Sequence, residues 1–393
     1  MCSDELSRPL AGERIVGLDI LRGLATCAVI LLHILLVTPG DLLFQCDGIT
    51  WRTVYVGNCM LECFFALSGF LIGGALLRYE RFDRARMTNY AVDRATRILP
   101  AYYAVFFLLT AWDLLSGDPP AIHYSYLLFA QCWLDNMYFI GVAWTLSIEA
   151  FSYLLLPVII WACRARTPAG QNDHALLIGV CVAIILIESL LRFGVALSTP
   201  DIHMDDAVRK QVHLRLDALL YGLIVACLKR TRPALYRRLA RPAVFLAAVC
   251  GMLALVEWQY ADLFIRHLPG ERHKPLHALL DFPLSGVLAA SLIPFCESMR
   301  PGRLPRAADR LSAFFQYVAK ISYSLYLIHL PLVFVAMRVY AALASHNAVL
   351  NHLTFCGVVI VYLLACFLLA DAMFARIERP AIRLRKKLRM KTT

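Results

Sequence analysis

Charged residues are scarce in this sequence. Asp, Glu, Lys and Arg together make up 17% of the chain and hydrophobic residues make up 60%, whereas an ordinary soluble domain is about 25% charged. This composition excludes a soluble globular protein. Apolar runs of about twenty residues are long enough to cross a bilayer as helices, so the sequence predicts an all-α, polytopic membrane protein with about ten transmembrane helices. The runs lie at 15–37, 55–77, 99–116, 143–163, 175–197, 213–228, 242–260, 277–297, 314–337 and 350–374.

Metal-binding and disulfide patterns are missing as well. The 13 cysteines include no CxxC pair and no His/Cys spacing typical of a metal site. Most of them lie in the apolar runs, where Cys behaves as a small apolar residue, and we predict no metal. Only Cys46 and Cys132 fall in segments expected on the outer side, so a disulfide between these two stays open.

Negative charge is the scarcer sign. The net charge is +11, and with the N-terminus in the cytoplasm the inner segments hold 28 of the 39 Lys and Arg residues. The positive-inside rule then predicts that both termini are cytoplasmic. The basic loops carry no nucleic-acid-binding motif, so we predict contacts with anionic lipid headgroups and no nucleic-acid partner.

Long polar stretches are also missing, which excludes an appended soluble domain. The sequence predicts one transmembrane domain over residues 1–375. A basic cytoplasmic tail follows at residues 376–393, and we expect it to lie on the membrane surface.

The first apolar run contains ionisable residues. It reads RIVGLDILRGLATCAVILLHILLV and carries Asp19, Arg22 and His33. Arg22 and His33 are eleven residues apart, which places them on nearly the same helix face and about 16 Å apart along its axis. Ionisable groups inside a membrane normally face a bundle interior or a wet cavity, so this face predicts a functional site. In the alternative, Asp19 and Arg22 neutralise each other and His33 caps a neighbouring carbonyl.

An arginine pair precedes the third run. Arg94 and Arg97 are three residues apart, so on a helical turn their guanidinium groups lie side by side at the membrane surface. Two forked cations suit the recognition of phosphate. A positive-inside anchor accounts for the spacing equally well.

Glu149 is expected at the same depth as His33. It lies five residues after Trp144, about 7 Å below the outer surface, while His33 lies about 6 Å below it. A buried carboxylate and imidazole are more stable as a pair, and a carboxylate on one ring nitrogen raises the basicity of the other. We therefore predict a pair of Glu149 and His33, with Arg192 or Arg215 as the alternative partner of Glu149.

Further polar residues lie in other runs. Glu62 lies about 10 Å below the outer end of the second run, near small residues such as Gly69 that let helices approach closely. Arg215 and Asp217 open the sixth run near the outer surface. His329 lies about 13 Å below the outer end of the ninth run, where it fills a helix kink or lines the same cavity.

Taken in order, these segments resemble the acyltransferase-3 family of integral membrane O-acyltransferases. Each motif alone is weak, but six of them in one order are specific, and they cover nearly the whole chain. One departure is Ile20, where the family commonly has Gly. The motifs are RIVGLDILRGLATCAVILLH with Arg22 and His33, LECFFALSGFLIGGALL with Glu62, the RxxR of Arg94 and Arg97, WTLSIEAFSYLLLP with Glu149, RLDALLYG from Arg215 and YSLYLIHLPL from Tyr323.

The resemblance implies a ten-helix enzyme of the bacterial cytoplasmic (inner) membrane. Such an enzyme moves an acyl group, usually acetyl, from cytoplasmic acyl-CoA to a hydroxyl of a carbohydrate or glycan acceptor at the membrane or on its outer side. Membrane lipid is the remaining expected partner, and no metal is expected.

The resemblance also implies roles for particular residues. His33 is expected to act as general base toward the acceptor hydroxyl, with Glu149 orienting its imidazole and Arg22 on the route of the donor. An acyl-His33 intermediate stays open. Ser68 or Tyr323 is expected to donate to the developing oxyanion. The donor-binding set is Arg22, Ser68, Gly69, Arg94 and Arg97, and the acceptor-binding set is Glu62, Trp144, Arg215, Asp217, Tyr323 and His329.

Two other classes of function stay open. A transporter or flippase for a glycan or an anionic metabolite would also place ionisable residues at mid-depth. It would be expected to show inverted repeats or broken helices, and the sequence shows neither. A non-catalytic scaffold or lipid-binding subunit would need no pair of His33 and Glu149.

Overall fold

The regular structure of the protein is helical. The computed structural model describes residues 15–38, 47–116, 124–133, 139–168, 173–199, 204–265, 274–299, 306–345 and 347–390. Within these ranges there is no strand, and nine helices are long and apolar enough to span a membrane. The prediction of a polytopic helical bundle is therefore confirmed. Which side of the membrane each end faces stays a prediction.

The helices of the described ranges are labelled in chain order. They are α1 Val16–Leu36, α2 Asp47–Leu76, α3 Arg84–Leu115, α4 Tyr124–Leu127, α5 Trp144–Arg166, α6 His174–Ser198, α7 Leu220–Thr231, α8 Pro233–Leu239, α9 Pro242–Ile265, α10 Lys274–Ser298, α11 Arg306–Leu343, α12 Ala348–Met373 and α13 Arg379–Leu388. We call the end of the bundle where α3 begins and α13 ends the basic side. Cys46 lies outside the described residues, so the open disulfide is not addressed.

The arginine pair lies on a helix. The sequence placed the arginines before the third run, on a helical turn, and α3 begins at Arg84 and carries both of them. Its start is capped by Asp83, whose side chain accepts a hydrogen bond of 2.8 Å from the Arg86 backbone N–H. The capped start holds the arginines on a rigid element.

The predicted sixth span is shorter than expected. The run at 213–228 was expected to be helical throughout, but α7 begins only at Leu220 and has 12 residues. Before α7 the chain forms a π-helical turn at Asp205–Arg209 and a 3₁₀ turn at Val212–Leu214. Irregular backbone is tolerated inside a membrane protein where protein buries it, and this segment is held by buried ion pairs.

Two buried ion pairs fix the segment before α7. Both oxygens of Asp217 accept hydrogen bonds from Arg192 of α6, at 3.0 and 2.9 Å. Both oxygens of Glu62 of α2 accept from Arg215 Nη2, at 2.6 and 2.8 Å. These four side chains are at most 3% exposed. Since Arg192 and Arg215 are engaged in this way, the alternative that either one pairs with Glu149 is wrong.

Glycines bring α2 and α7 into backbone contact. A Cβ atom at Gly69 would lie 1.9 Å from the carbonyl oxygen of Leu219, and one at Gly222 would lie 1.9 Å from that of Ala66. No side chain fits at either position without movement of the backbone. Gly69 is therefore a helix-packing residue, as small residues commonly are in membrane bundles.

The basic tail is docked on the bundle. A π-helical turn at Phe374–Glu378 joins α12 to α13, so the tail continues the last span. Asn89 of α3 donates from Nδ2 to the Met390 carbonyl at 3.0 Å and accepts from the Met390 N–H at 2.8 Å. The tail that we expected on the membrane surface thus lies against the start of α3.

Candidate active site

One cavity collects most of the predicted donor residues. It lies between α1, α2, α3, α5, α11 and α13 and measures about 410 Å³, within the range of about 300–1,000 Å³ that is usual for small-molecule sites. Four guanidinium groups and two carboxylates line it, so the cavity is cationic. Its polar lining consists of Arg22, Ser68, Tyr79, Tyr90, Asp93, Arg94, Arg97, Thr145, Glu149, Tyr153, Ser322, Tyr323, Tyr326 and Arg385.

The arginines occupy two levels of this cavity. Arg94 and Arg97 line it from the first half of α3, on the basic side. Arg22 lines it from α1 and is close enough to Arg97 and Glu149 to interact with them electrostatically. The side-by-side placement predicted for Arg94 and Arg97 is consistent with both residues facing one cavity.

Glu149 pairs with a serine and not with His33. Its Oε1 accepts a hydrogen bond of 2.8 Å from the Ser68 hydroxyl, and Arg22 and Arg94 act on its charge. The predicted pair of Glu149 and His33 is therefore wrong. Because Ser68 donates to Glu149, its hydroxyl is not free to donate to an oxyanion in this conformation.

His33 pairs with a second histidine, His329 of α11. The His329 Nε2 atom lies 3.2 Å from the His33 Nδ1 atom, and the ring centroids are 4.9 Å apart. His329 is fully buried, whereas His33 is half-buried. The buried position of His329 suits contact with His33 rather than the direct contact with acceptor that we predicted for it.

The hydrogen bonds around the pair fix both tautomers. His33 Nδ1 lies 2.8 Å from the Val29 carbonyl oxygen, and His329 Nδ1 lies 2.7 Å from that of Tyr326. A carbonyl oxygen only accepts, so each neutral ring carries its proton on Nδ1. His329 Nε2 is then an acceptor for the His33 Nδ1–H. The His33 Nε2 atom keeps its lone pair, which is what a general base requires.

A comparison with known protein families identifies the family of this chain. A family model described as an acyltransferase domain, acyltransferase-3, matches residues 15–371. The chain belongs to the acyltransferase-3 family. No curated protein and no solved structure matches the chain. The protein is thus a membrane acyltransferase, and the histidine pair and the cationic cavity are its candidate catalytic and donor sites.

The acyltransferase cavity ends about one helical turn from the histidine pair. Tyr326 lines its far end, and the Tyr326 ring centroid is 5.6 Å from that of His329. Leu61 also lines this end and lies four residues from Gly57, which packs against Leu32 beside His33. Neither histidine lines the cavity in this conformation.

A hydrogen bond joins two of the side chains that line the cavity. The Tyr326 hydroxyl lies 2.8 Å from Thr145 Oγ1 and 3.0 Å from the Val142 carbonyl oxygen. These contacts join α11 to the start of α5 about one turn before His329.

Several residues that we predicted in the acceptor site lie elsewhere. Glu62, Arg215 and Asp217 form the buried ion pairs and do not line the cavity, and Trp144 packs in the core. Tyr323 does line the cavity, but its hydroxyl donates to the Ile98 carbonyl oxygen at 2.9 Å. The direct role in acceptor binding predicted for these five residues has no support in their contacts.

Sequence reasoning missed several polar residues of the cavity, among them Tyr153, Asp93 and Arg385. Tyr153 lies four residues after Glu149, so the spacing on α5 could have indicated it. Asp93 stands beside Arg94 and was overlooked among the arginines. Arg385 belongs to the tail, and no local pattern could have indicated that the tail returns to α3.

Proposed function

We propose that this acyltransferase transfers an acyl group, normally acetyl, from acyl-CoA to a hydroxyl of a carbohydrate or glycan acceptor. The observation that carries the proposal is one cationic cavity that extends from the basic side to Tyr326, about one turn from His329, which in turn contacts His33 and leaves the His33 Nε2 lone pair free. The arrangement provides a site for an anionic donor at one end and a base at the other.

Acyl-CoA fits the charge distribution of the cavity. Its phosphates would bind Arg94 and Arg97 on the basic side, because paired guanidinium groups form forked, charge-assisted hydrogen bonds with phosphate. The thin pantetheine arm would pass Arg22 toward Tyr326. If the positive-inside rule holds for this chain, the phosphate end faces the cytoplasm, where acyl-CoA is found.

His33 would then act as the general base. Its Nε2 takes the proton of the acceptor hydroxyl while the hydroxyl oxygen attacks the thioester carbonyl carbon. The tetrahedral intermediate collapses with cleavage of the C–S bond, and the departing thiolate takes the proton back from the His33 imidazolium. Such assistance is typically worth about 10²–10⁴ in rate. An acyl-His33 intermediate is the variant that we keep as the alternative route.

The other residues support this step. Hydrogen bonds to the Val29 carbonyl oxygen and to His329 orient the His33 ring. In this orientation the ring presents Nε2 to the acceptor hydroxyl. Glu149 and Ser68 are hydrogen-bonded to each other in the wall of the cavity, which Arg22 also lines. We place Arg22 next to the thioester. We place the hydrogen bond between Tyr326 and Thr145 on the path to His33, so in this mechanism the thioester reaches His33 only when that bond opens.

The acceptor would approach from the side opposite the basic side. Asp205 and Lys210, before α7, lie near enough to the His33 imidazole to act on it electrostatically. Lys210 Nζ pairs with Asp205 at 2.6 Å and with Asp206 at 2.7 Å. We place the protein as a multi-pass protein of the bacterial cytoplasmic membrane, with a cell-envelope glycan as its acceptor.

The test uses purified protein in lipid nanodiscs with radiolabelled acetyl-CoA and a mixture of cell-envelope glycans. Wild type is compared with His33→Ala and with Arg94→Gln/Arg97→Gln. The matched control is Arg237→Gln/Arg238→Gln, which removes two exposed arginines from α8 outside the cavity. Coenzyme A binding, release of free coenzyme A and label on glycan are measured separately.

We expect His33→Ala to bind acetyl-CoA without turnover, the α3 double variant to lose binding, and the α8 double variant to behave as wild type. Absence of coenzyme A binding by folded wild type would refute the proposal. In sealed proteoliposomes, movement of unlabelled glycan across the bilayer without label transfer would instead favour a transporter or flippase.

A further inference from the structure

The C-terminal helix takes part in the cavity. α13 begins at Arg379, beyond residue 371 where the family match ends. Arg385 of this helix lines the same cavity as Arg94 and Arg97 of α3. A second helix thus contributes a cation to the cavity that Arg94 and Arg97 line from α3.

Contacts at both ends hold α13 in this place. At its start, Glu378 is buried and accepts hydrogen bonds from the Ser324 N–H, at 3.1 Å, and from the Ser324 hydroxyl. At its end, Asn89 makes two hydrogen bonds to Met390. The position of Arg385 is therefore set by the packing of α13 against α11 and α3, and not by Arg385 itself.

Arg385 has a donor with no acceptor in the described residues. Its Nε atom is buried without a hydrogen-bond partner and lies 3.7 Å from Asp93 Oδ1, beyond hydrogen-bonding distance. Asp93 is engaged by Arg389, whose Nε donates to it at 2.9 Å and whose Nη2 also donates. Arg94 Nε is buried and unpartnered in the same way. A buried donor without an acceptor is costly, so both guanidinium groups are arranged for an anion.

We propose that Arg385 is a third phosphate-binding arginine of the acyl-CoA site, and that α13 forms one wall of that site. The inference rests on the proposed function. Coenzyme A carries a diphosphate and a separate phosphate on its ribose. Arg94 and Arg97 lie one turn apart on a single helix, and Arg385 faces them from a second helix. Three arginines on two elements suit a ligand with two separated anionic groups.

A lipid headgroup presents the same phosphate chemistry. The exposed cations of α13, such as Arg383 and Lys386, are the ones available to anionic lipid. Arg385 is half-buried and faces the cavity, so its position favours coenzyme A.

The test measures dissociation constants of coenzyme A and of acetyl-pantetheine, which lacks the phosphates. Wild type, Arg385→Gln and Arg385→Lys are compared in phosphatidylcholine nanodiscs with and without added phosphatidylglycerol. Arg383→Gln is the matched control, because it removes the same charge from an exposed position of the same helix.

We expect Arg385→Gln to weaken coenzyme A binding about tenfold, as for loss of a charge-assisted hydrogen bond, and Arg385→Lys to weaken it less. Acetyl-pantetheine binding should change less than about twofold, which also reports that the cavity is intact. Arg383→Gln should bind coenzyme A as wild type does.

Equal effects of Arg385→Gln and Arg383→Gln would overturn this inference while leaving the proposed function in place. A loss of coenzyme A binding seen only with phosphatidylglycerol present would assign Arg385 to lipid and also overturn it. Parallel losses for both ligands would show that α13 is merely structural. If folded wild type bound no coenzyme A, the proposed function itself would fail.

Discussion

The Nε2 atom of His329 lies 3.2 Å from the Nδ1 atom of His33. Because His329 Nδ1 is bonded to a carbonyl oxygen, its Nε2 is the acceptor in this contact. His329 therefore keeps the His33 proton on Nδ1. In the proposed mechanism this leaves Nε2 to face the hydroxyl of the acyl-group acceptor. In that mechanism His329 is a positioning residue that touches no reacting atom.

Removal of the His329 imidazole is expected to slow catalysis without weakening acyl-CoA binding. We predict that His329→Leu lowers kcat about tenfold, because His33 keeps its bond to the Val29 carbonyl but loses the second contact that fixes the ring. The coenzyme A dissociation constant should stay within about twofold. His329→Gln restores an acceptor oxygen and should recover part of kcat. Equal kcat values for the Leu and Gln variants would refute the positioning role.

The sequence predicted that His33 has a buried partner but named the wrong one. Depth was counted from the apparent ends of the apolar runs, and the helices do not end where the runs do. α11 continues to Leu343, six residues past the predicted end at 337, while α1 ends at Leu36. Glu149 and His33 were therefore matched by depth alone. The rotation of each helix about its axis and the identity of its neighbours decide which side chain contacts His33. Neither can be read from the sequence of a single helix.

Features encoded locally were predicted better. The apolar runs located most of the spans, and the three-residue spacing of Arg94 and Arg97 placed both of them on one cavity. Arg385 reaches the same cavity only because α13 packs back on α3. Such a contact joins residues about three hundred positions apart, so no sequence window contains it.

Tyr326→Phe is expected to open the cavity toward His33. The variant removes the hydroxyl that contacts Thr145 and the Val142 carbonyl, and a hydrogen bond of about 1 kcal/mol corresponds to about a fivefold shift in an equilibrium. Hydrolysis of acetyl-CoA without acceptor should rise by up to about fivefold, because water gains access to the thioester beside a base. The release of free coenzyme A in the absence of glycan measures this hydrolysis.

The matched control for Tyr326→Phe is Tyr317→Phe on the same helix. Tyr317 is exposed and lies outside the cavity, so its loss should leave hydrolysis unchanged. A rate for Tyr326→Phe at or below the wild-type rate would contradict the placement of this hydrogen bond on the path to His33.

The Arg192 and Asp217 pair is expected to matter for folding rather than for catalysis. Asp217→Leu leaves the Arg192 guanidinium buried with an unmatched charge, so we predict a loss of about 3–5 kcal/mol in unfolding free energy. Arg192→Leu/Asp217→Leu should cost less than the sum of the single changes, because it leaves no lone charge. Unfolding in mixed micelles with increasing denaturing detergent measures these values. Strictly additive losses would show that the two side chains do not interact.

Substitution of Gly69 tests whether this residue serves helix packing or donor binding. A methyl group at Gly69 would meet the Leu219 carbonyl oxygen at 1.9 Å, and relief of such a clash requires a shift of α7 against α2. We predict that Gly69→Ala destabilises the protein by about 1–3 kcal/mol, the usual cost of overpacking. Unfolding free energy is again the measurement.

Gly74→Ala is the matched control, five residues further along α2. A Cβ atom at Gly74 would find only the Ala226 methyl, at an ordinary 3.8 Å, so this change should be neutral or stabilise by up to about 1 kcal/mol through helix propensity. If Gly69→Ala instead kept wild-type stability and weakened coenzyme A binding, Gly69 would belong to the donor site and the α2–α7 contact would tolerate a side chain there. Loss of stability with coenzyme A binding retained in the folded fraction would assign Gly69 to packing alone.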